Sequence, residues 1–363
     1  MKKNGKRIRL SEEEVEMVYE NRAESTTNLN GNTALDIHLS ERGISKKDVV
    51  SVKHWQSANG EYRFSIVTKE DMATDVNDVL DQVGKFIENH SPYYSPIKRK
   101  SQNANHLLVI NPADIHIGKY ANGAETGSEY DVETACTRVL EGLEGLVSKA
   151  SGFAVERVLF CIGNDVLHID NVYNSTTKGT HQDTDGKWWE HFEVALALYV
   201  KCVEMLREIA PVDVLHSMSN HDYQSGFHLA HALRSWFRND KEVGFDISVA
   251  HRKYYQYGSN LIGLEHGDGA KMDNLPLLMA QEKPKMWSST KYRYWYLHHL
   301  HHKVKHKWRD AKDFIGVTVE YMRSPSGTDS WHSRKGYAGV PKAVEGFLHE
   351  KTSGQVARLV HYF

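Results

Sequence analysis

From residue 106 onward the chain repeats one pattern: a short continuous apolar run, a polar cluster, then a longer stretch with helical spacing. The runs LLVIN (107–111), VLFCI (158–162), VDVLHSM (212–218), NLIGLE (260–265) and RYWYL (293–297) read as buried strands. Between Tyr130 and Ser151, apolar residues recur at Val132, Ala135, Val139, Leu143, Leu146 and Val147, the spacing of one helix face. Trp188 to Ile209, stopped by Pro211, and HLAHALRSWF (228–237) predict two more helices. After residue 245 short strands are expected to dominate, in DISVAHRKYYQY, SNLIGLE, RYWYL, FIGVTVEYM and QVARLVHYF. Alternating strand and helix followed by more strand predicts an α/β protein with two sheets packed face to face and helices outside. Ligands in such folds sit beyond the carboxyl ends of the strands.

Residues 1–100 follow a different pattern, a small α+β extension. SEEEVEMVYENR predicts a helix capped by Ser11, with Glu14 three residues later. TALDIHLSERGISKKDVVSVKHW predicts a helix, a stop at Gly43 and a second short helix capped by Ser45. GEYRFSIVTK alternates as a strand, DVNDVLDQVGKFIENH is helical, and SPYYSPIKRKSQNANH reads as a linker. The expected organisation is therefore an accessory region, 1–100, and one larger domain, 101–363.

Composition narrows the class. The chain has 363 residues, 40% hydrophobic and 25% charged, with a formal net charge of -2. That is an ordinary globular balance, and any basic surface for nucleic acid has to be local. The N-terminal MKKNGKRIRLSEEE lacks the apolar stretch of a signal peptide, and no run suits a membrane span. A cytoplasmic protein is expected. Cys136, Cys161 and Cys202 lie in apolar stretches without metal-finger spacing and read as reduced thiols. Histidine is the anomaly: 22 residues, roughly two- to threefold above an average chain.

Many of those histidines end the apolar runs. The clusters, in order, are Asp114-Ile115-His116, Gly163-Asn164-Asp165, Asn220-His221-Asp222, His266-Gly267 and His299-Leu300-His301. Carboxylate, amide oxygen and imidazole on one rim of a sheet make a mixed oxygen and nitrogen ligand set for divalent ions. A carboxylate such as Asp165 has two oxygens and is the natural bridge between two ions. In this order the clusters resemble the calcineurin-like metallophosphoesterase superfamily, over roughly residues 106–305. More loosely, residues 163–185 and SPSGTDSWHSRKGYAG (324–339) resemble phage-encoded phosphoesterases of the repair-exonuclease type.

The resemblance implies a four-layer α/β/β/α sandwich with a dinuclear centre. It implies Asp114, His116 and His301 as ligands of one ion, Asn220, His266 and His299 as ligands of the other, and Asp165 as the bridge. His221 would be the catalytic histidine and Asp222 its orienting acid. The implied cofactors are two divalent ions, manganese favoured, with iron or zinc as alternatives. Three departures stand out: Ser219 and His298 replace glycines, and Asn164 separates Gly163 from Asp165. Two such ions, about 3.5–4 Å apart, would activate a bridging water for in-line attack on phosphorus, while His221 would donate a proton to the leaving oxygen or stabilise it.

Substrate is the open question. The long polar segment after Asp165 offers His168 and His181 to the phosphate cleft. Lys303, Lys305, Lys307 and Arg309 follow the last cluster and would draw in a polyanion. These favour DNA as substrate and an exonuclease-like activity. A small-molecule nucleotide phosphoesterase is the alternative, and a non-catalytic metal-binding or DNA-binding module is a third. Trp188 and Trp189, at a helix start, are expected to pack in the core rather than stack on bases.

Overall fold

The computed structural model describes residues 34–56, 62–69, 92–99, 103–300, 311–336, 339 and 341–363. The chain divides into two compact units, Met1–Ser91 and Pro92–Phe363. In the first, helix α1 (Ala34–Glu41) ends near Gly43, whose φ of 68° suits the left-handed turn a glycine allows. Strands β1 (Val49–Gln56) and β2 (Tyr62–Thr68) then pair antiparallel. The second helix expected after Ser45 is only a 3-10 turn, Lys46–Asp48. VVSVKHWQ is a strand because its β-branched residues favour a pleated partner. The helices expected at 11–22 and 75–90 lie outside the described residues.

The larger unit is mixed α/β. Its six-stranded sheet contains β3 (His106–Asn111), β4 (Val155–Gly163), β5 (Val212–Ser217), β6 (Val243–Asp246), β12 (Ala343–Glu350) and β13 (Gly354–Tyr362), in the order β13-β12-β3-β4-β5-β6. β3 to β6 run parallel, and β12 and β13 close one edge antiparallel. The five-stranded sheet contains β7 (Lys253–Tyr257), β8 (Asn260–Glu265), β9 (Tyr292–Leu297), β10 (Ala311–Phe314) and β11 (Val317–Tyr321), in the order β10-β11-β9-β8-β7. β8, β9 and β11 are parallel neighbours.

Strand alternation sorts the core. Leu108 and Ile110 of β3 share a cluster with Val139, Leu143 and Leu146 of α3 (Val132–Ala150), which follows a four-residue α2 (Gly123–Thr126). The same cluster takes Val203 and Leu206 from α4 (Trp188–Arg207), and Leu229 and Leu233 from α5 (Tyr223–Trp236). Leu107 and Val109, one residue out of phase, instead join Leu159 and Cys161 to Ile262, Leu264 and Tyr296 of the other sheet. The opposite face of that sheet, Leu261, Trp295 and Val319, packs with Leu275 and Met279 of α6 (Leu275–Glu282).

Several elements escaped the sequence pattern. α6 and α7 (Pro284–Ser289) interrupt a region expected to be only strands, and β12 was not anticipated. β12 carries Glu345 and His349 at buried positions, so its polarity hid it. The segment 92–99, expected as linker, packs on the larger unit: Tyr94 stacks on Phe237 with centroids 5.0 Å apart, and Arg99 pairs with Glu242 at 2.7 Å. No described helix is long and apolar enough to cross a membrane.

Candidate metal centre

β3, β5, β8 and β9 each stop one to three residues before a cluster, and β4 ends on Gly163, the first residue of its own. Beyond β3 and β4 the two chains stay in register: Asp114 N donates to Asn164 O, His116 N to Asp165 O and Ile117 N to Val166 O. Six described residues other than glycine have positive φ, and five lie here: Asp114, His116, Asn164, Asp165 and His299. That conformation is sparsely populated and costs of order 1–3 kcal/mol at each residue. Asn164 takes it well, because asparagine tolerates the left-handed region best after glycine.

Three groups of ligand atoms converge, each within 4.8 Å: Asp114, His116 and Asp165; Asp165, His266 and His299; and His116, His168 and His221. Asp165 belongs to two of them. Its Oδ1 accepts from His221 N at 2.9 Å. Its Oδ2 lies 3.1 Å from His266 Nε2 without hydrogen-bond geometry, and is otherwise unsatisfied and buried. Asn220 Oδ1 is 2.8 Å from the same His266 Nε2. Amide oxygen, carboxylate oxygen and imidazole nitrogen thus meet around one point.

The electrostatics ask for a cation. Burial would raise Asp165, but His266 and His221 hold it well below the usual carboxylate range. Burial likewise opposes charge on His266, yet Asp165, with Asp114 and Asp268 behind it, pushes the ring up to about 9. An imidazolium here supplies charge that a divalent ion would supply more fully. Asp222 is pushed up to about 7 by burial and then by the nearby Asp165. The mixed donors, the unsatisfied Asp165 oxygen and the strained turns fit divalent ions of the borderline class.

Asp222 does not orient His221, the role expected of it. Its Oδ1 accepts from Ser219 Oγ, and its Oδ2 from Leu167 N at 2.9 Å. Asp222 therefore ties the turn after β4 to the turn after β5. Ser219 completes the tie by accepting from Asp165 N at 2.8 Å, a contact no glycine could make. The orienting partner of His221 is a backbone group: Nδ1 lies 2.9 Å from His168 O. The sequence held no signal for it, since any residue type has that carbonyl.

His168 is buried beside His116, their Nδ1 atoms 3.3 Å apart. His181 sits away from these groups, exposed, on a loop bridged to Ser175. That loop is stapled over the site's edge: Asp170 accepts from Gln224 N and Ser225 N at the start of α5, and Thr177 N donates to Asn220 O. Trp188 and Trp189 are 46% and 47% exposed, not core. They stand on the first turn of α4, which presents its other face to the sheet. His301, Lys303, Lys305, Lys307 and Arg309 lie outside the described residues.

No protein-family model and no curated protein matches the chain. Among solved structures it is similar to a Vps29 double mutant from Entamoeba histolytica, at 11% identity and TM-score 0.27, covering 71% of this chain and 99% of that one. It is similar also to Chaetomium thermophilum Vps29 complexed with a cyclic peptide, at 11% identity and TM-score 0.28, covering 71% and 96%. Likeness at that level leaves the chemistry to be argued from the residues.

The segment Ser324–Asp329 braces the first cluster from behind. Ser324 Oγ donates to Asp114 O at 2.8 Å, and the fully buried Lys119 reaches Gly327 O at 2.8 Å and Asp329 Oδ2 at 2.9 Å. Lys119 had no place in the sequence reading. Its only signal was position, three residues past His116.

Proposed function

We propose that this chain is a metal-dependent phosphodiesterase of the calcineurin-like type, a four-layer α/β/β/α sandwich with two divalent ions, acting on DNA. The observation that carries the reading is Asp165, shared by two ligand groups, with its Oδ2 beside His266. Asp114 and His116 would hold one ion, and Asn220, His266 and His299 the other, with His301 completing the first set as the resemblance implies. Two such ions, when bound, lower the pKa of a water and neutralise charge on the phosphoryl oxygens.

The chain's own residues do the rest. A carbonyl only accepts, so His221 Nδ1 carries the proton shared with His168 O. Nε2 is thereby turned outward, and in the imidazolium form it delivers a proton to the leaving oxygen. The backbone N–H of the same residue holds Asp165 Oδ1, which couples the acid to the bridge. The half-exposed Trp188 and Trp189, and the basic run 303–309, support a nucleic-acid substrate by stacking and by charge.

The test is hydrolysis of a chromogenic phosphodiester and of single- and double-stranded DNA. Activity should vanish on chelation and return best with manganese. Full turnover after chelation and dialysis sinks the metal reading. Cleavage of nucleotides or the small diester, with DNA intact across salt and metals, gives the site to a small-molecule substrate.

A further inference from the structure

One of the three ligand groups contains no acid. The ring nitrogens of His116, His168 and His221 lie within 4.8 Å of one another, and His116 Nδ1 stands 3.3 Å from His168 Nδ1. That is long against the usual hydrogen-bond span of about 2.9–3.0 Å. It matches the edge of a coordination tetrahedron: two imidazole nitrogens at about 2.0–2.1 Å from one ion stand about 3.3 Å apart. His116 crosses His168 at 87° and His221 at 69°, while His168 and His221 lie nearly parallel at 20°, their centroids 5.4 Å apart. His221 gives its Nδ1 proton to His168 O, which leaves the Nε2 lone pair for an ion. Ligand histidines are commonly fixed in this way by a backbone carbonyl. His116 and His168 are buried while His221 is half-buried, so the group opens on one side.

We propose that His116, His168 and His221 form an alternative, all-imidazole site for a borderline ion such as zinc, and that filling it switches the dinuclear centre off. A neutral imidazole has one lone pair, so His116 serves one ion at a time. An ion held by the three histidines takes His116 away from Asp114 and Asp165. It also occupies the His221 nitrogen that faces the leaving oxygen. Without carboxylates the set suits zinc, nickel or copper and serves manganese or magnesium poorly. The switching half rests on the dinuclear reading above, whereas the existence of the site does not.

The full chain, saturated with manganese, is titrated with zinc. Bound zinc is measured by equilibrium dialysis and metal analysis, and its ligand shell by X-ray absorption at the zinc edge. The first zinc should show a shell of three imidazoles, and diester hydrolysis should fall as it binds. His168→Phe should weaken zinc in that shell at least about 10-fold; His168→Asn repeats the test in a smaller side chain if the first variant melts early. A wild-type zinc shell dominated by carboxylate oxygen overturns the site, as does unchanged zinc affinity and shell in both variants. Undiminished hydrolysis at full three-imidazole occupancy overturns the switch. A chain that shows the three-imidazole shell but hydrolyses no diester with manganese refutes the proposed function and leaves the site standing.

Discussion

His298 Nε2 lies 2.8 Å from Asn111 Oδ1, at the end of β3, and its Nδ1 lies 3.2 Å from Glu265 O. Burial pushes this histidine down to about 4, so the ring is neutral. Nδ1 donates to the Glu265 carbonyl, and Nε2 accepts from the Asn111 amide with that side chain turned over, which also satisfies its otherwise unpartnered Nδ2 and holds β3, β8 and β9 together. The next residue, His299, turns the other way: its N–H donates to Asp114, and its ring joins Asp165 and His266. His298→Ala should therefore cost about 1–3 kcal/mol, the usual penalty of stranding buried polar partners, while metal content stays at wild type. His299→Ala should show the reverse, lowered metal content with a near-normal melt. Denaturant unfolding of the apoprotein and metal analysis of both variants check the pair.

Asp165 and His221 divide their labour differently. Asp165→Ala should release both ions, because the same carboxylate serves both groups. His221→Ala should keep at least one ion and lose most of the rate, since its ring is assigned to the leaving group. Two ions per chain in Asp165→Ala would mean that the carboxylate does not bridge.

Lys119, fully buried, pairs with the half-buried Asp329, and loss of the pair should be felt in stability. Lys119 is fully buried, so Asp329→Asn leaves a charge without its partner, at a cost of about 3–5 kcal/mol. Lys119→Met in the same chain should recover part of it. The pH dependence follows from Asp329, which burial would raise but His332 and Lys119 hold far below the usual range. A depressed carboxylate stabilises above its unfolded pKa, about 4, and loses that contribution as pH falls. The gap in unfolding free energy between wild type and Asp329→Asn should narrow below about pH 4; a gap that widens on acidification contradicts the pairing.

Neutralising Lys303, Lys305, Lys307 and Arg309 should weaken DNA cleavage strongly and flatten its salt dependence, because fewer counterions are released on binding. The chromogenic diester should be cleaved almost as before. An unchanged salt slope would make the run an ordinary solvated surface.

By itself the sequence determined the alternation that builds the larger unit. Continuous apolar runs such as 107–111 and 158–162 have a single economical fate, a strand buried on both faces, and polar residues at their ends have to gather on one rim. It also marked Asp165 and the histidines as a ligand set, because chemistry of that kind is carried by residue type and order. Tertiary structure decided what depends on backbone atoms and distant partners. β12 hid behind Glu345 and His349, whose polarity is matched only by residues remote in the chain, among them Arg358 to Glu345 and Tyr296 to His349. The orientation of His221 rests on a carbonyl, and the place of His299 beside Asp165 and His266 goes with a positive φ. None of these is written in a residue's type; each follows from where the folded backbone places it.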